Sequence, residues 1–174
     1  MPQVPARVDL YLLRHGEAGK RLVAGSKDSE RALTVTGTKE VEEIAGALAK
    51  LGIKLDLVAT SPLARARQTA GMVAKKLKIK KDKLQEWDEL KPEGSRAKLY
   101  DRLARFKPEA SVMVVGHEPY LSSMVSELVF DGQKGRIVLK KAGLVRVGIL
   151  SFNPRPKGEL RWLLTPRHMK RMEA

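Results

Sequence analysis

The sequence predicts an α/β fold, a three-layer αβα sandwich around a central, mostly parallel sheet. Three observations predict it. Apolar, β-prone runs alternate along the chain with segments of helical period. Three of those runs end on polar residues at a turn, where ligands gather in open α/β sheets. The length, 174 residues, suits one domain with a single complete core. The expected division is one domain over 1–174, with its core at about 8–165 and a basic C-terminal tail.

Residues 8–13 (V-D-L-Y-L-L) read as a strand buried on both faces, ending at Arg14. Residues 36–51 read as a helix. Val41, Ile44, Ala45, Leu48 and Leu51 share one of its faces, and Gly52 suits a left-handed residue at its end. Residues 55–60 (L-D-L-V-A-T) are the next strand. Ser61-Pro62 reads as a helix start, with Ser as the cap and Pro at the first helical position, and that helix runs to about Leu77. Residues 88–95 are expected to be a functional loop. Residues 111–115 form a strand ending at Gly116-His117, and Glu118-Pro119 begin a helix with Leu121, Met124, Val125 and Leu128 on its apolar side. Residues 137–139, 144–150 and 160–164 are strand-like. No internal repeat and no long linker divides the chain.

Composition removes several classes. With no Cys, disulfide scaffolds, thiol catalysis and cysteine metal sites are excluded, and three His leave little for a multi-imidazole metal centre. No apolar run approaches the ~20 residues of a membrane helix. The N-terminal residues lack the apolar core of a signal peptide. A cytoplasmic, monomeric protein without membrane contact is the expectation. The unusual feature is charge: 34 Lys and Arg against 20 Asp and Glu, a net +14. Residues 133–174 alone carry 11 basic and 2 acidic residues, and residues 75–83 hold six Lys and one Asp. A solvated face with a basic tail accounts for such runs, and attraction to an anionic partner is the alternative. With eight aromatics and no recognisable motif, a specific nucleic-acid partner is not expected.

If the strands are parallel neighbours, Arg14, His15, His117 and the start of the helix at Ser61 converge. Arg65, one turn into that helix, projects back toward them. Guanidiniums match phosphate oxygens with a fixed fork, and a helix N-terminus adds free N–H groups. The ligand that fits is a phosphoryl group. A neutral imidazole there can also attack phosphorus, forming a phosphohistidine that water then hydrolyses. The cations come from side chains, so no metal or other cofactor is required. Outside such a context, His15 and His117 would read as structural histidines, and Arg14 and Arg65 as surface ion-pair residues.

Leu12-Leu13-Arg14-His15-Gly16-Glu17, Arg31-Ala32-Leu33-Thr34 with Gly37, the run from Ser61-Pro62 through Arg65 to Gln68-Thr69, and Val115-Gly116-His117-Glu118 occur in that order. Together they resemble the histidine phosphatase superfamily, which has the phosphoglycerate-mutase-like fold. The short chain without a cap insertion, Glu89-Leu90-Lys91-Pro92 and Gly116-His117-Glu118-Pro119 resemble the SixA-type phosphohistidine phosphatases. The resemblance covers about residues 8–165. It implies His15 as nucleophile, Arg14 and Arg65 as phosphate clamps and His117 as a second phosphate contact. Arg31, Gly16 and Ser61 are implied substrate contacts.

One element departs from the family. Where larger members carry a Leu-x-Glu acid, this chain has Leu90-Lys91-Pro92. Glu89 and Glu93 flank that position and are the candidate proton donors. An imidazole leaving a phosphoramidate needs less protonation than an alkoxide leaving an ester. The expected function is therefore a metal-independent phosphatase for phosphohistidine on a protein, such as a histidine phosphotransfer domain. A phosphatase of a small phosphate ester and a non-catalytic polyanion-binding module are the alternatives. Glu17 and Glu118 could orient a neighbour or face solvent. Arg67 and His168 read as surface groups, and Trp87 and Trp162 as packing residues.

Overall fold

The computed structural model describes residues 7–20, 27–131 and 135–173. The elements in chain order are β1 Val8–Arg14, α1 Val35–Lys50, β2 Leu57–Thr60, α2 Ala64–Lys76, β3 Leu84–Glu86 and α3 Arg96–Leu103. They continue with β4 Ala110–Gly116, α4 Tyr120–Val129, β5 Leu144–Ser151, β6 Lys157–Leu164 and α5 Pro166–Glu173. The six strands form one sheet in the order β3-β2-β4-β1-β5-β6. The pairings β3-β2, β2-β4 and β4-β1 are parallel, while β1-β5 and β5-β6 are antiparallel. No described helix is long and apolar enough to cross a membrane.

Alternation along the central strands makes two cores. Leu10 and Leu12 of β1 and Val112 and Val114 of β4 face one way, onto Leu99, Leu103, Leu121 and Met124 of α3 and α4. Tyr11 and Leu13, with Met113 and Val115, face the other way, onto Val41, Ile44, Ala70 and Val73 of α1 and α2 and Met169 of α5. With both faces covered, the strands are apolar almost throughout, the pattern their sequence carries.

The helix ends depart from the local sequence signals by one or two residues. Thr34 caps α1 by accepting from Gly37 N at 2.9 Å, so the helix starts at Val35. Gly52 follows α1 with a φ of +67°, the left-handed conformation expected there. The start at Ser61-Pro62 is corrected: α2 begins at Ala64 with Leu63 at the cap position. Ser61 is diverted because its hydroxyl lies 2.8 Å from the His117 ring while accepting from Leu63 N. Likewise α4 begins at Tyr120, and Glu118 accepts from Ser122 N in its first turn.

Other expectations are also revised. Residues 137–139 are irregular rather than a strand, since the neighbouring edge of β1 is already paired with β5. The short β3 and α3 were not anticipated. α3 buries only Leu99, Tyr100 and Leu103, too little apolar pattern to stand out among its charges, and Ser95 caps it. The supposed basic tail contains α5. Met169 is fully buried against the α1 side of the sheet, and Lys170 bridges Glu40 at 2.8 Å and Glu43 at 3.7 Å. Trp87 packs in the core under Arg102, and Trp162 packs against Tyr11.

The docking of α5 is measurable by urea unfolding. Met169→Ala should cost about 2–5 kcal/mol, the range for a large buried apolar side chain. Met172→Ala, on the exposed side of the same helix, should change stability by less than about 0.5 kcal/mol.

Candidate active site

The carboxyl ends of β1, β2 and β4 lie side by side, and the chain leaves each of them into a polar turn. Arg14 pairs in register with Gly116, and Thr60 with Val115. The pairing extends past the strand ends: His15 N donates to Gly116 O, and Ser61 N to Val115 O. Ala142 N in turn donates to His15 O. The three segments that carry His15, Ser61 and His117 are thus held by backbone hydrogen bonds rather than by loop packing alone.

The remaining motif residues lock these turns together. Gly16 N donates to Thr69 Oγ1, which itself donates to Arg65 O one turn back on α2. Leu33 N donates to Gln68 Oε1. Thr34 N donates to Glu17 O, and the Thr34 hydroxyl reaches Glu17 Oε1. A Cβ on Gly37 would collide with the Glu17 backbone, and one on Gly16 would press into Val41. These glycines are needed for close approach, so the loop after β1 can lie flat against α1.

Arg14, His15, Asp28, Arg31, Arg65, and His117 surround a pocket of about 370 Å³, with Ala18, Pro92, Glu118 and Lys141 on its edge. His15, Arg65 and His117 are all less than a tenth exposed. The two imidazole rings are 5.1 Å apart, centroid to centroid. His15 Nδ1 lies 2.7 Å from Gly16 O, and a carbonyl can only accept, so Nδ1 carries the proton. Nε2 is therefore a lone pair, and it accepts from Arg65 Nε at 3.3 Å. Burial, and then the Arg65, Arg14 and Arg31 charges, lower the His15 pKa to about 4. The Gly16 hydrogen bond opposes that shift.

His117 is lowered further, to about 3, by burial and then by His15 and Arg65. Its Nε2 meets Ser61 Oγ. Ser61 Oγ also accepts from Leu63 N. The other ring nitrogen, His117 Nδ1, is buried without a hydrogen-bond partner among the described residues, as are Arg14 Nε and Arg31 Nε. Buried guanidinium donors of this kind around one pocket are suited to an oxyanion.

Asp28 was not anticipated from the sequence. Its carboxylate meets Arg65 Nη2 and Arg31 Nη2, both at 3.0 Å, and its carbonyl accepts from Arg65 Nη1. The available signal was its position three residues before Arg31, in the turn leading into the Arg-x-Leu-Thr element. By this bridge Asp28 brings Arg31 into the pocket beside Arg65. Arg14 reaches it from the other side, with Nη1 held by Leu139 O at 2.9 Å.

The two proposed proton donors are placed elsewhere. Glu89 turns to Arg102 on α3 at 2.9 Å, and Glu93 is exposed; neither lines the pocket. The loop at 88–95 reaches it with Pro92 instead. The carboxylates that do line it are Asp28 and Glu118. Glu17 turns to Thr34, Arg67 to Glu86 on the surface, and His168 is exposed near Thr165.

Residues 10–100 match the histidine phosphatase superfamily (branch 1), and the chain belongs to that superfamily. An uncharacterized protein of Picosynechococcus sp. is 34% identical over 164 residues, which is 92% of this chain and 98% of that protein. The mitochondrial serine/threonine-protein phosphatase Pgam5 of Drosophila melanogaster is 34% identical over 102 residues, 59% of this chain but 34% of Pgam5. The protein histidine phosphatase SixA, solved with tungstate, superposes with a TM-score of 0.75 at 24% identity over 91% of this chain and 97% of that one. The fold is the phosphoglycerate-mutase-like one, in its small SixA form.

The His15 pKa sets a pH dependence. The folded value of about 4 lies below the ordinary 6.5, so the fold favours the neutral ring. That contribution to stability is complete above about pH 6.5 and is lost as the pH falls through 4. Phosphorylation of His15 by a small phosphoramidate should accordingly keep its rate as the pH drops from neutral through 6.5, and lose it only near 4. Quenched-flow labelling across that range reads it, and a midpoint near 6.5 would contradict the assigned environment.

Proposed function

We propose that this protein is a phosphatase that hydrolyses phosphohistidine on a protein through a covalent intermediate on His15. The phosphoryl group enters the pocket with its oxygens toward Arg14, Arg31, Arg65 and His117. His15 Nε2 attacks phosphorus from the side opposite the leaving nitrogen. The substrate P–N bond breaks, a P–Nε2 bond forms, and the departing imidazole keeps its electron pair and a proton. Gly16 O holds the proton on His15 Nδ1 and stabilises the ring as it becomes positive. Water then attacks the phosphohistidine, releasing inorganic phosphate and regenerating the neutral ring with Nε2 free. The fixed guanidiniums stabilise charge on the equatorial oxygens in both steps without having to reorganise.

The observation that carries the choice of substrate is what the pocket's carboxylates are doing. Both oxygens of Asp28 face guanidiniums, and Glu118 accepts from the backbone of α4. Among the described residues, the carboxylates lining the pocket are committed as acceptors rather than poised as acids. A phosphoramidate tolerates that arrangement because its leaving nitrogen can carry the proton already; a serine or threonine ester does not. The likeness in fold to SixA, a protein histidine phosphatase by name, supports the same reading. The match to Pgam5, named as a serine/threonine-protein phosphatase, makes phosphoester hydrolysis the competing use of the same site.

Two measurements decide between them. Turnover of a phosphohistidine protein should exceed that of phosphoserine, phosphothreonine and small phosphomonoesters by at least about a hundredfold in kcat/KM, about 2.7 kcal/mol of transition-state discrimination. A preference for the esters would overturn the substrate assignment. His15→Ala should abolish the acid-labile phosphoenzyme while leaving binding of polyanions unchanged. Absence of any phosphoenzyme from the unaltered protein would favour a binding module.

A further inference from the structure

Beside the catalytic pocket runs a larger groove of about 990 Å³, between the loop at 140–143, the start of α5 and the first half of α1. It shares Arg14 with the pocket, and Lys141 lines both. Lys140, Arg167 and Arg171 add three exposed cations from two separate elements. The carboxylate that lines the groove, Glu40, is already joined to Lys170. Lys140, Lys141, Arg167 and Arg171 make no ion pair among the described residues.

We infer that this groove docks an acidic segment of the substrate protein next to its phosphorylated residue. The inference rests on the phosphoprotein reading of the pocket and names the partner's surface chemistry. Continuity is the first argument: Arg14 and Lys141 line both the pocket and the groove, so a chain whose phosphoryl group contacts Arg14 can run from one into the other. The second is the kind of cation. Long exposed side chains on separate elements form no preorganised fork for a second phosphate, but they attract a broad negative surface and raise its encounter rate. The third is the absence of stacking surface: apart from His168 the described groove lining has no aromatic ring, whereas a nucleic-acid strand calls for aromatic platforms.

The other basic cluster does not share this role. Lys75 and Lys76 end α2, and its N-terminal turn holds Arg65, so about 16 Å of helix separates Lys76 from the pocket end. The groove they line, with Glu42 and Met72, has no residue in common with the pocket.

The test uses synthetic peptides with a central phosphohistidine or phosphoserine, flanked either by three Glu on each side or by three Gln. Wild-type protein is compared with K140E/R167E/R171E, which spares every residue lining the pocket, and with R167E alone. Fluorescence anisotropy reads the affinity of all four peptides without needing turnover, and kcat/KM is measured for those hydrolysed. Wild type should favour the acidic flanks by about tenfold, less so as salt is raised. The triple variant should lose that preference while keeping its affinity and rate for the Gln-flanked peptides, with R167E intermediate. Equal affinity of wild type for both flanks, or an equal loss on both peptides in a variant that melts like wild type, would overturn the docking surface. A failure of the phosphohistidine reading shows separately, as faster hydrolysis of the phosphoserine pair, and leaves the comparison of flanks intact.

Discussion

The site depends on crowding cationic groups around one pocket where His15, Arg65 and His117 are buried. Three guanidiniums and two imidazoles meet at the ends of three strands. With ring centroids 5.1 Å apart, two protonated histidines would repel by about 3 kcal/mol at an effective dielectric of ~20. Each would also face the permanently charged arginines. Burial first, and then these charges, keep both rings neutral, and the Asp28 carboxylate offsets Arg31 and Arg65. Neutrality is also what the proposed chemistry needs, because only an unprotonated Nε2 is a nucleophile. Burial, together with the electrostatic cost of gathering cationic groups, thus holds His15 in the form that the proposed reaction requires.

Geometry depends on the same cluster being rigid. His15 is fixed by its ring contact to Gly16 O and by backbone pairing with β4 and the 142 turn. Arg65 is fixed by α2, whose Thr69 and Gln68 tie back to Gly16 and Leu33. Arg65 and Thr69, four apart on that helix, therefore place a pocket-lining group and its support on one face. The close approach at Gly16 and Gly37 presses the loop onto α1, so the core on the α1 and α2 side of the sheet and the site share a wall.

The positive charge divides by location. Some of it lines the phosphoryl pocket, where desolvation makes it strong. Some lies in the open groove beside α5, where water and salt weaken it but its field reaches further than a contact. The lysines at the end of α2 sit at the far end of that helix. A net charge of +14 describes none of these separately.

The sheet's parallel core was legible in the sequence because strands buried on both faces must be apolar almost throughout, and 8–13, 55–60 and 111–115 are. Arg14, His15, Arg65 and His117 were legible as a set because each sits at a strand end or one helical turn beyond it. The short β3 and α3 were not, since three or eight residues with little apolar pattern leave weak local signals. α5 was hidden by its own charge, and its one fully buried residue, Met169, has a role only against α1. Asp28 was invisible for a different reason: an acid in a turn is ordinary until Arg31 and Arg65 are seen on either side of it. Glu89 and Glu93 were nearest in sequence to the family's acid, yet the loop sends one to Arg102 and the other to solvent. Periodicity and chain order determined which groups the site would contain. Tertiary structure alone decided their partners and protonation, because those depend on burial and on charges distant in sequence.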